Sequence, residues 1–255
     1  MKVKNNVAIV TGGASGLGEA VVRKIVAKGG KTAIFDLDKE NGELLCSELG
    51  SSVIFLNTDV TCEDNVNESI AETIKTFGMV NICVNCAGIA AAAKVIDKKG
   101  AHDLNLFKKV IEVNLVGTFN LIRLTAEKMT LNSPCEDGER GVIINTASVA
   151  AFEGQIGQAA YSASKSGIVG LTLPVARELA ASGIRVVSIA PGIMETPMLL
   201  GMPDNVKESL AKMVPFPQRL GLPEEFASLA EHIIENRLIN GTTIRLDGAI
   251  RMQPR

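Results

Sequence analysis

Seven short apolar runs recur along the 255-residue chain, and most are separated from the next by a stretch with helical periodicity. "NVAIVTG" leads into "GEAVVRKIVAKGG", "KTAIFDL" into "KENGELLCSELG", and "SVIFLNTDV" into a segment predicted helical from about Asp64 to Phe77. "VNICVNCAG" follows, then "GVIINTAS", bracketed by long helices predicted around Leu106 to Met129 and Ala160 to Ala181. "IRVVSIAPG" and "TTIRLDG" complete the set. Strands that alternate with helices pair in parallel, because a crossover holding a helix carries the chain back to the end it started from. The runs are apolar nearly throughout rather than at every second position, as expected of strands covered on both faces. The fold class is therefore α/β, a doubly wound seven-stranded parallel sheet.

No composition break, repeat or long Pro/Gly-rich linker divides the chain. Residues 1–255 read as one domain, with a dinucleotide-binding half over about 1–150 and a catalytic and substrate half over about 140–255. The polar stretches 98–105 and 132–141 are expected to be surface loops. A net charge of −2 gives no reason to expect nucleic acid or an anionic membrane as a main partner. No apolar run approaches the roughly 18 residues that span a bilayer. The start, "MKVKNNVAIVTGG", becomes strand-like almost at once, so no signal or cleavable transit segment is expected.

Five cysteines, an odd number without regular spacing, suit a reducing compartment. "CVNC" (83–86) matches C-x-x-C, but a zinc site needs two more ligands, and the histidines, His102 and His232, are distant in sequence. A redox pair belongs at a helix N-terminus, whereas these thiols lie in a strand. They are read as small apolar fillers, and no metal is expected.

The turn "TGGASGLG" (11–18) follows the first strand and opens the first helix. Bare backbone there lets a phosphate approach the free N–H groups and positive end of the helix. The glycines at 12, 13, 16 and 18 fit neither G-x-G-x-x-G nor a P-loop. Asp36 ends the second strand, 18 residues after Gly18, where dinucleotide folds place the acid that binds the adenosine ribose diol. A carboxylate there accepts from both hydroxyls and repels a 2′-phosphate. The pair points to a Rossmann-type nucleotide site and to NAD rather than NADP.

Ser148 ends the strand "GVIINTAS", and Tyr161, the chain's only tyrosine, precedes Lys165 by one helical turn. Ligands of open α/β sheets sit beyond the C-terminal strand ends, where a serine can bind a substrate oxygen and a tyrosine can move its proton. A free phenol, pKa about 10, is too weak an acid for this at neutral pH. Lowering it to about 7 takes roughly 3–4 kcal/mol, which a lysine cation, the cofactor's positive nicotinamide and exclusion of water are expected to supply. Each residue alone is commonplace, and the spacing does not decide the matter.

Taken in order, "TGGASGLG", "NCAG" (85–88), Asn114 in "EVNLVG", Ser148, "YSASK" and "PG" (191–192) resemble the short-chain dehydrogenase/reductase family over essentially the whole chain. Its T-G-x-x-x-G-x-G pattern is met by Thr11 to Gly18. The resemblance implies a catalytic tetrad of Asn114, Ser148, Tyr161 and Lys165. Tyr161 would move the proton, Lys165 lower its pKa and bind ribose, Ser148 orient the carbonyl, and Asn114 hold a water linking Lys165 to solvent. It also implies cofactor contacts from Gly12, Ser15, Gly16, Leu17, Gly18, Asp36, Asp59, Val60, Cys86, Ala87, Gly88, Tyr161, Lys165, Pro191, Gly192, Met194 and Thr196.

Within the family, residues 141–170 and the tail "RLDGAIRMQP" are similar to a branch that acts on 3-hydroxyacyl-CoA with NAD and also oxidises hydroxysteroids. "CAGIAAAAKVIDKKGAHDLNLF" is similar to that branch's longer loop beside the substrate cleft, while Met194 and Glu195 replace an aromatic and a glycine. Substrate contacts are expected from Ser148, Gln155, Gln158 and Tyr161, and contacts to the CoA phosphates from Lys94, Lys98 and Lys99. The resemblance further implies a homotetramer, in the mitochondrial matrix or else the cytoplasm. Two alternatives stand beside this reading: a 3-oxoacyl-carrier-protein reductase, and a structural subunit of a mitochondrial tRNA-processing complex.

Overall fold

The computed structural model describes residues 1–98, 100–200 and 203–254. The chain begins β1 (Val7–Thr11), α1 (Gly16–Ala27), β2 (Lys31–Asp36), α2 (Lys39–Leu49), β3 (Val53–Asn57), α3 (Glu63–Phe77) and β4 (Ile82–Asn85). A small hairpin follows, β5 (Ile96–Asp97) and β6 (Gly100–Ala101), and then α4 (Leu104–Ile111) and α5 (Thr118–Met129). The remainder is β7 (Gly141–Thr146), α6 (Ala159–Leu179), β8 (Ile184–Pro191), α7 (Pro197–Leu200), α8 (Asp204–Lys212), α9 (Pro223–Glu235) and β9 (Thr243–Leu246).

Seven strands form one parallel sheet in the order β3-β2-β1-β4-β7-β8-β9. The single α/β domain of the sequence reading is what the chain adopts. β1 and β8 are buried at every residue, which is why their sequences do not alternate. One face packs Val10, Ile144 and Ile189 against α1 and α9, and the other packs Ile9, Ile143 and Val186 against the helices on the opposite side. The strand order reverses between β1 and β4, which opens a crevice at their C-terminal ends.

Three features depart from the sequence expectation. α4 and α5 are joined by a π-helical segment, Glu112–Gly117, so the predicted long helix carries one widened turn. The polar stretch 98–105 is partly ordered by the hairpin, whose His102 N–H donates to the Val95 carbonyl oxygen at 2.9 Å. Between β8 and β9 lie α7, α8 and α9, where no helix is predicted. α9 announces itself through Pro223 at its first position and Glu224 and Glu225 in its first turn.

Candidate active site

The β1–α1 turn is built for close backbone approach. A Cβ on Gly12, whose φ is +61°, would stand 2.8 Å from the Ala87 backbone nitrogen, and one on Gly18 would stand 2.0 Å from the Gly12 carbonyl oxygen. Ser15 caps α1 without using its side chain, so the first-turn N–H groups face outward with no protein partner in the cap. Thr11, at the same turn, accepts through Oγ1 from Cys86 N and Ala87 N, both at 3.1 Å. That hydroxyl ties "NCAG" to β1 across the crevice. Its place in the glycine motif is the only sequence sign of this job.

A cleft of about 420 Å³ runs over these elements. Gly12, Ser15, Gly16, Leu17, Gly18, Asp36, Asp59, Val60, Cys86, Ala87, Gly88 and Thr196 all line it, as the resemblance implies. It adds residues the sequence reading does not name, among them Leu37, Ile89, Val113 and Lys109, a cation that helps hold the Asp59 carboxyl down. Asp36 is braced from both sides: Oδ2 accepts from Ala14 N and Oδ1 from Asp38 N, each at 3.0 Å. Asp59 spends Oδ1 on Thr61, accepting from its N–H at 2.9 Å and its hydroxyl at 2.7 Å; these bonds hold its carboxyl below the usual carboxylate range.

A second cleft, of about 190 Å³, continues the first and brings together Cys86, Gly88, Ser148, Tyr161, Lys165, Pro191, Gly192, Met194 and Thr196. Tyr161 and Lys165 share one face of α6, with the lysine Nζ 5.8 Å from the ring centroid. Lys165 Nζ donates to the Thr146 carbonyl oxygen at 2.7 Å, which anchors the cation to the end of β7. Ser148 Oγ accepts from Ala150 N at 3.1 Å, and Ser148 and Tyr161 line the same two clefts.

Asn114 stands in the π-helical segment and is fully buried. Its amide grips the Ile89 backbone twice, accepting from N at 2.8 Å and donating to O at 2.9 Å, and donates again to Ser164 Oγ at 3.1 Å. Ser164 Oγ in turn donates to the Tyr161 carbonyl oxygen at 2.7 Å. The Asn114 side chain is thus committed to positioning the 86–92 loop against α6.

Titration in the protein alone is governed by burial. Burial pushes Tyr161 above the ordinary phenol value, opposed only by Ser148. Burial pushes Lys165 down to about 8, opposed by Cys86. Exclusion of water disfavours every charged form, the phenolate included. Stabilising charge must therefore come from Lys165 and the cofactor against that cost. Burial likewise raises Cys83 to about 12 and Cys86 to about 11, so both "CVNC" thiols stay protonated at neutral pH.

A third cleft, of about 280 Å³ and mostly apolar, shares Ala90, Ser148, Tyr161, Gly192, Met194 and Thr196 with the second. Gln155 and Gln158 line it, but both are occupied with one another: Gln158 Oε1 accepts from Gln155 N at 3.0 Å. Lys94 lies in an adjoining groove that shares both glutamines, and Lys98 lies exposed in the hairpin turn. Lys99 falls outside the described residues.

Residues 6–206 match the family model described as short chain dehydrogenase. The chain is 56% identical over 254 residues to the 3-hydroxyacyl-CoA dehydrogenase type-2 of Homo sapiens, covering 99% of this chain and 97% of the relative. Against the protein of that name in Drosophila melanogaster it is 52% identical, covering 99% of this chain and 100% of the relative. The solved 3-hydroxyacyl-CoA dehydrogenase type-2 from Mycobacterium avium superposes with a TM-score of 0.95 at 43% identity, covering the whole of both chains.

Proposed function

Because the chain belongs to the short-chain dehydrogenase family, an oxidoreductase family that typically binds NAD or NADP, we propose that it is an NAD-dependent 3-hydroxyacyl-CoA dehydrogenase. It interconverts 3-hydroxyacyl-CoA and 3-oxoacyl-CoA thioesters, with hydroxysteroids or other secondary alcohols as further substrates. The observation that carries this reading is the meeting of the Ser148–Tyr161 hydroxyl pair and the Lys165 cation at the junction of the glycine-lined cleft and an apolar one.

The glycine cradle fits a dinucleotide, since a Cβ at Gly12 or Gly18 would fill it. The first-turn N–H groups of α1 would hold the pyrophosphate, Asp36 the adenosine ribose, Asp59 and Val60 the adenine, and Lys165 the second ribose. When bound, the dinucleotide supplies the hydride acceptor or donor. In oxidation Tyr161 takes the alcohol proton, and in reduction it returns one to the carbonyl oxygen. Ser148 donates to that same oxygen and fixes its direction. Lys165, held by the Thr146 carbonyl, keeps positive charge beside the phenol.

Asp36 supports NAD over NADP, because its carboxylate would face a 2′-phosphate. The same residue counts against a carrier-protein reductase that uses NADPH. A purely structural role has no use for a hydroxyl pair aimed into a cleft. The CoA phosphates would meet Lys94 and Lys98 on the rim, and the assembly implied by the resemblance is a homotetramer, in the mitochondrial matrix or the cytoplasm.

Initial rates with acetoacetyl-CoA and each reduced cofactor test the proposal. Reduction with NADH preferred is the expected result. No reduction would overturn the substrate, and equal kcat/KM for NADH and NADPH would overturn the role of Asp36.

A further inference from the structure

The loop joining Ser148 to Tyr161 is bound to β9 and the segment after it, although the paired residues lie 92 and 98 positions apart. Arg245 grips Glu153 with two guanidinium N–H groups, at 2.7 and 2.9 Å, and donates from Nε to Asp247 at 2.6 Å. Its guanidinium lies over the Phe152 ring, 5.1 Å from the centroid. Further along, Gln155 Nε2 donates to the Gln253 carbonyl oxygen and Ile156 N to that of Pro254, both at 3.0 Å. Ile250 is fully buried against Val149 and Val214. Between these anchors stands Met252, which lines the apolar cleft with Tyr161 and Ser148.

We propose that Met252 is a specificity-determining wall of the substrate cleft and that Gln155 is the positioning residue that clamps it there. The backbone is fixed on both sides of Met252, at Ile250 and at Gln253–Pro254, so the wall yields only through the rotamers of one unbranched thioether. Ala90 to Ala92, which line the same cleft, have no side chain long enough to set a limit. Gln155, which lines the cleft, also places its amide on the clamp. Its Oε1 accepts from Gln158 Nε2 at 3.4 Å, which couples the clamp to the residue that begins α6 and so to the turn carrying Tyr161.

The choice of thioesters as probes rests on the proposed function; the wall itself does not. The experiment compares kcat/KM for 3-oxodecanoyl-CoA and acetoacetyl-CoA, and for a series of simple ketones of rising size, in the full-length protein. Met252→Ala should raise the large-to-small ratio by about tenfold or more, since even one methylene in an apolar pocket changes discrimination by roughly 10–200-fold. Met252→Phe should lower it. Gln155→Leu should move the ratio in the Ala direction by a smaller factor and speed hydrogen exchange at the Ile156 amide, a change that loss of a substrate contact would not produce. Met252→Cys should react with a thiol reagent, and acetoacetyl-CoA or a bound ketone should protect it. An unchanged ratio in both Met252 variants overturns the wall, and unchanged exchange in Gln155→Leu overturns the clamp. If no thioester is reduced while the ketone series shows the shift, the thioester reading fails and the wall stands.

Discussion

The dinucleotide cleft and the substrate cleft meet at Tyr161, yet they are built by opposite means. The phosphate end of the first is mostly backbone: three consecutive elements, β1, α1 and β2, present glycines, bare N–H groups and one braced carboxylate. The second is mostly side chain, drawn from segments near 90, 150, 193, 199, 210 and 252 that only the fold brings together. A wall of backbone tolerates almost no substitution at its glycines but can hold any ligand with the right phosphates. A wall of side chains can be retuned one residue at a time. The cofactor end should therefore be stiff and general, and the substrate end adjustable.

The sharpest test lies where the two meet. Tyr161→Phe keeps the ring that both clefts share and removes only the hydroxyl. Its kcat should fall by about 10²–10⁴-fold, the usual range for a general acid-base group, while NADH binding by fluorescence titration stays near that of the unaltered protein. Retention of more than about a tenth of kcat would show that the proton moves by another route. Lys165→Ala should weaken binding and turnover together, because that side chain serves both clefts.

The next largest effect concerns the phenol's own titration. With one tyrosine and no tryptophan in the chain, near-ultraviolet tyrosinate absorbance reports Tyr161 alone. The sign follows from burial: a raised pKa means less phenolate at any given pH. The protein alone should therefore form tyrosinate only above the ordinary range near 10, and NAD⁺ should bring the transition down. Oxidation, which uses the phenolate, should accelerate as pH rises through the lowered value, and reduction should slow. A tyrosinate transition that NAD⁺ leaves unmoved would mean that the cofactor end contributes no charge to the catalytic end.

The same contrast explains how much could be read from the sequence. The seven strands, the glycine turn and Asp36 were legible because each depends on local chemistry: β-branched runs, missing Cβ atoms, an acid at a strand end. Tyr161 and Lys165 were legible as a helical i,i+4 pair. The Asn114 grip on Ile89 was not, since it spans 25 residues and depends on a π-helical turn that no residue pattern marks. Met252 and the Arg245–Glu153 clamp were hidden for the same reason, being contacts across 92 to 104 positions that exist only after β9 has joined the sheet edge. The burial that raises the Tyr161 pKa in the protein alone is equally invisible in a sequence.

A third test sets a local cost against a ligand preference. Asp36→Ala should reduce the preference for NADH over NADPH by about tenfold, the size of one ion repulsion of roughly 1.4 kcal/mol. It should also loosen the glycine turn, because Asp36 Oδ2 holds Ala14 N. A rise in KM for both cofactors beside the change in preference would show that the carboxylate is a brace as well as a reader. A change in preference with no shared rise would mean that the turn holds its shape without it.

The smallest effect is expected at the outer rim, where the substrate cleft opens past Gln155 and Gln158 toward Lys94 and the exposed Lys98. Such lysines are commonly just a solvated surface, and charges there are screened within about 10 Å at 0.1 M salt. Reversing Lys94 and Lys98 to glutamate should raise KM for acetoacetyl-CoA by a few-fold and leave kcat in place, because the thioester's phosphates lie far from the reacting carbon. Added salt should reproduce the effect in the unaltered protein and have little further effect in the variant. A small steroid alcohol, which carries no phosphate, should respond to neither. If the steroid and the thioester respond alike, the lysines shape the cleft rather than read charge. The adjustable end of the molecule would then discriminate by apolar fit alone, with no electrostatic contribution at its mouth.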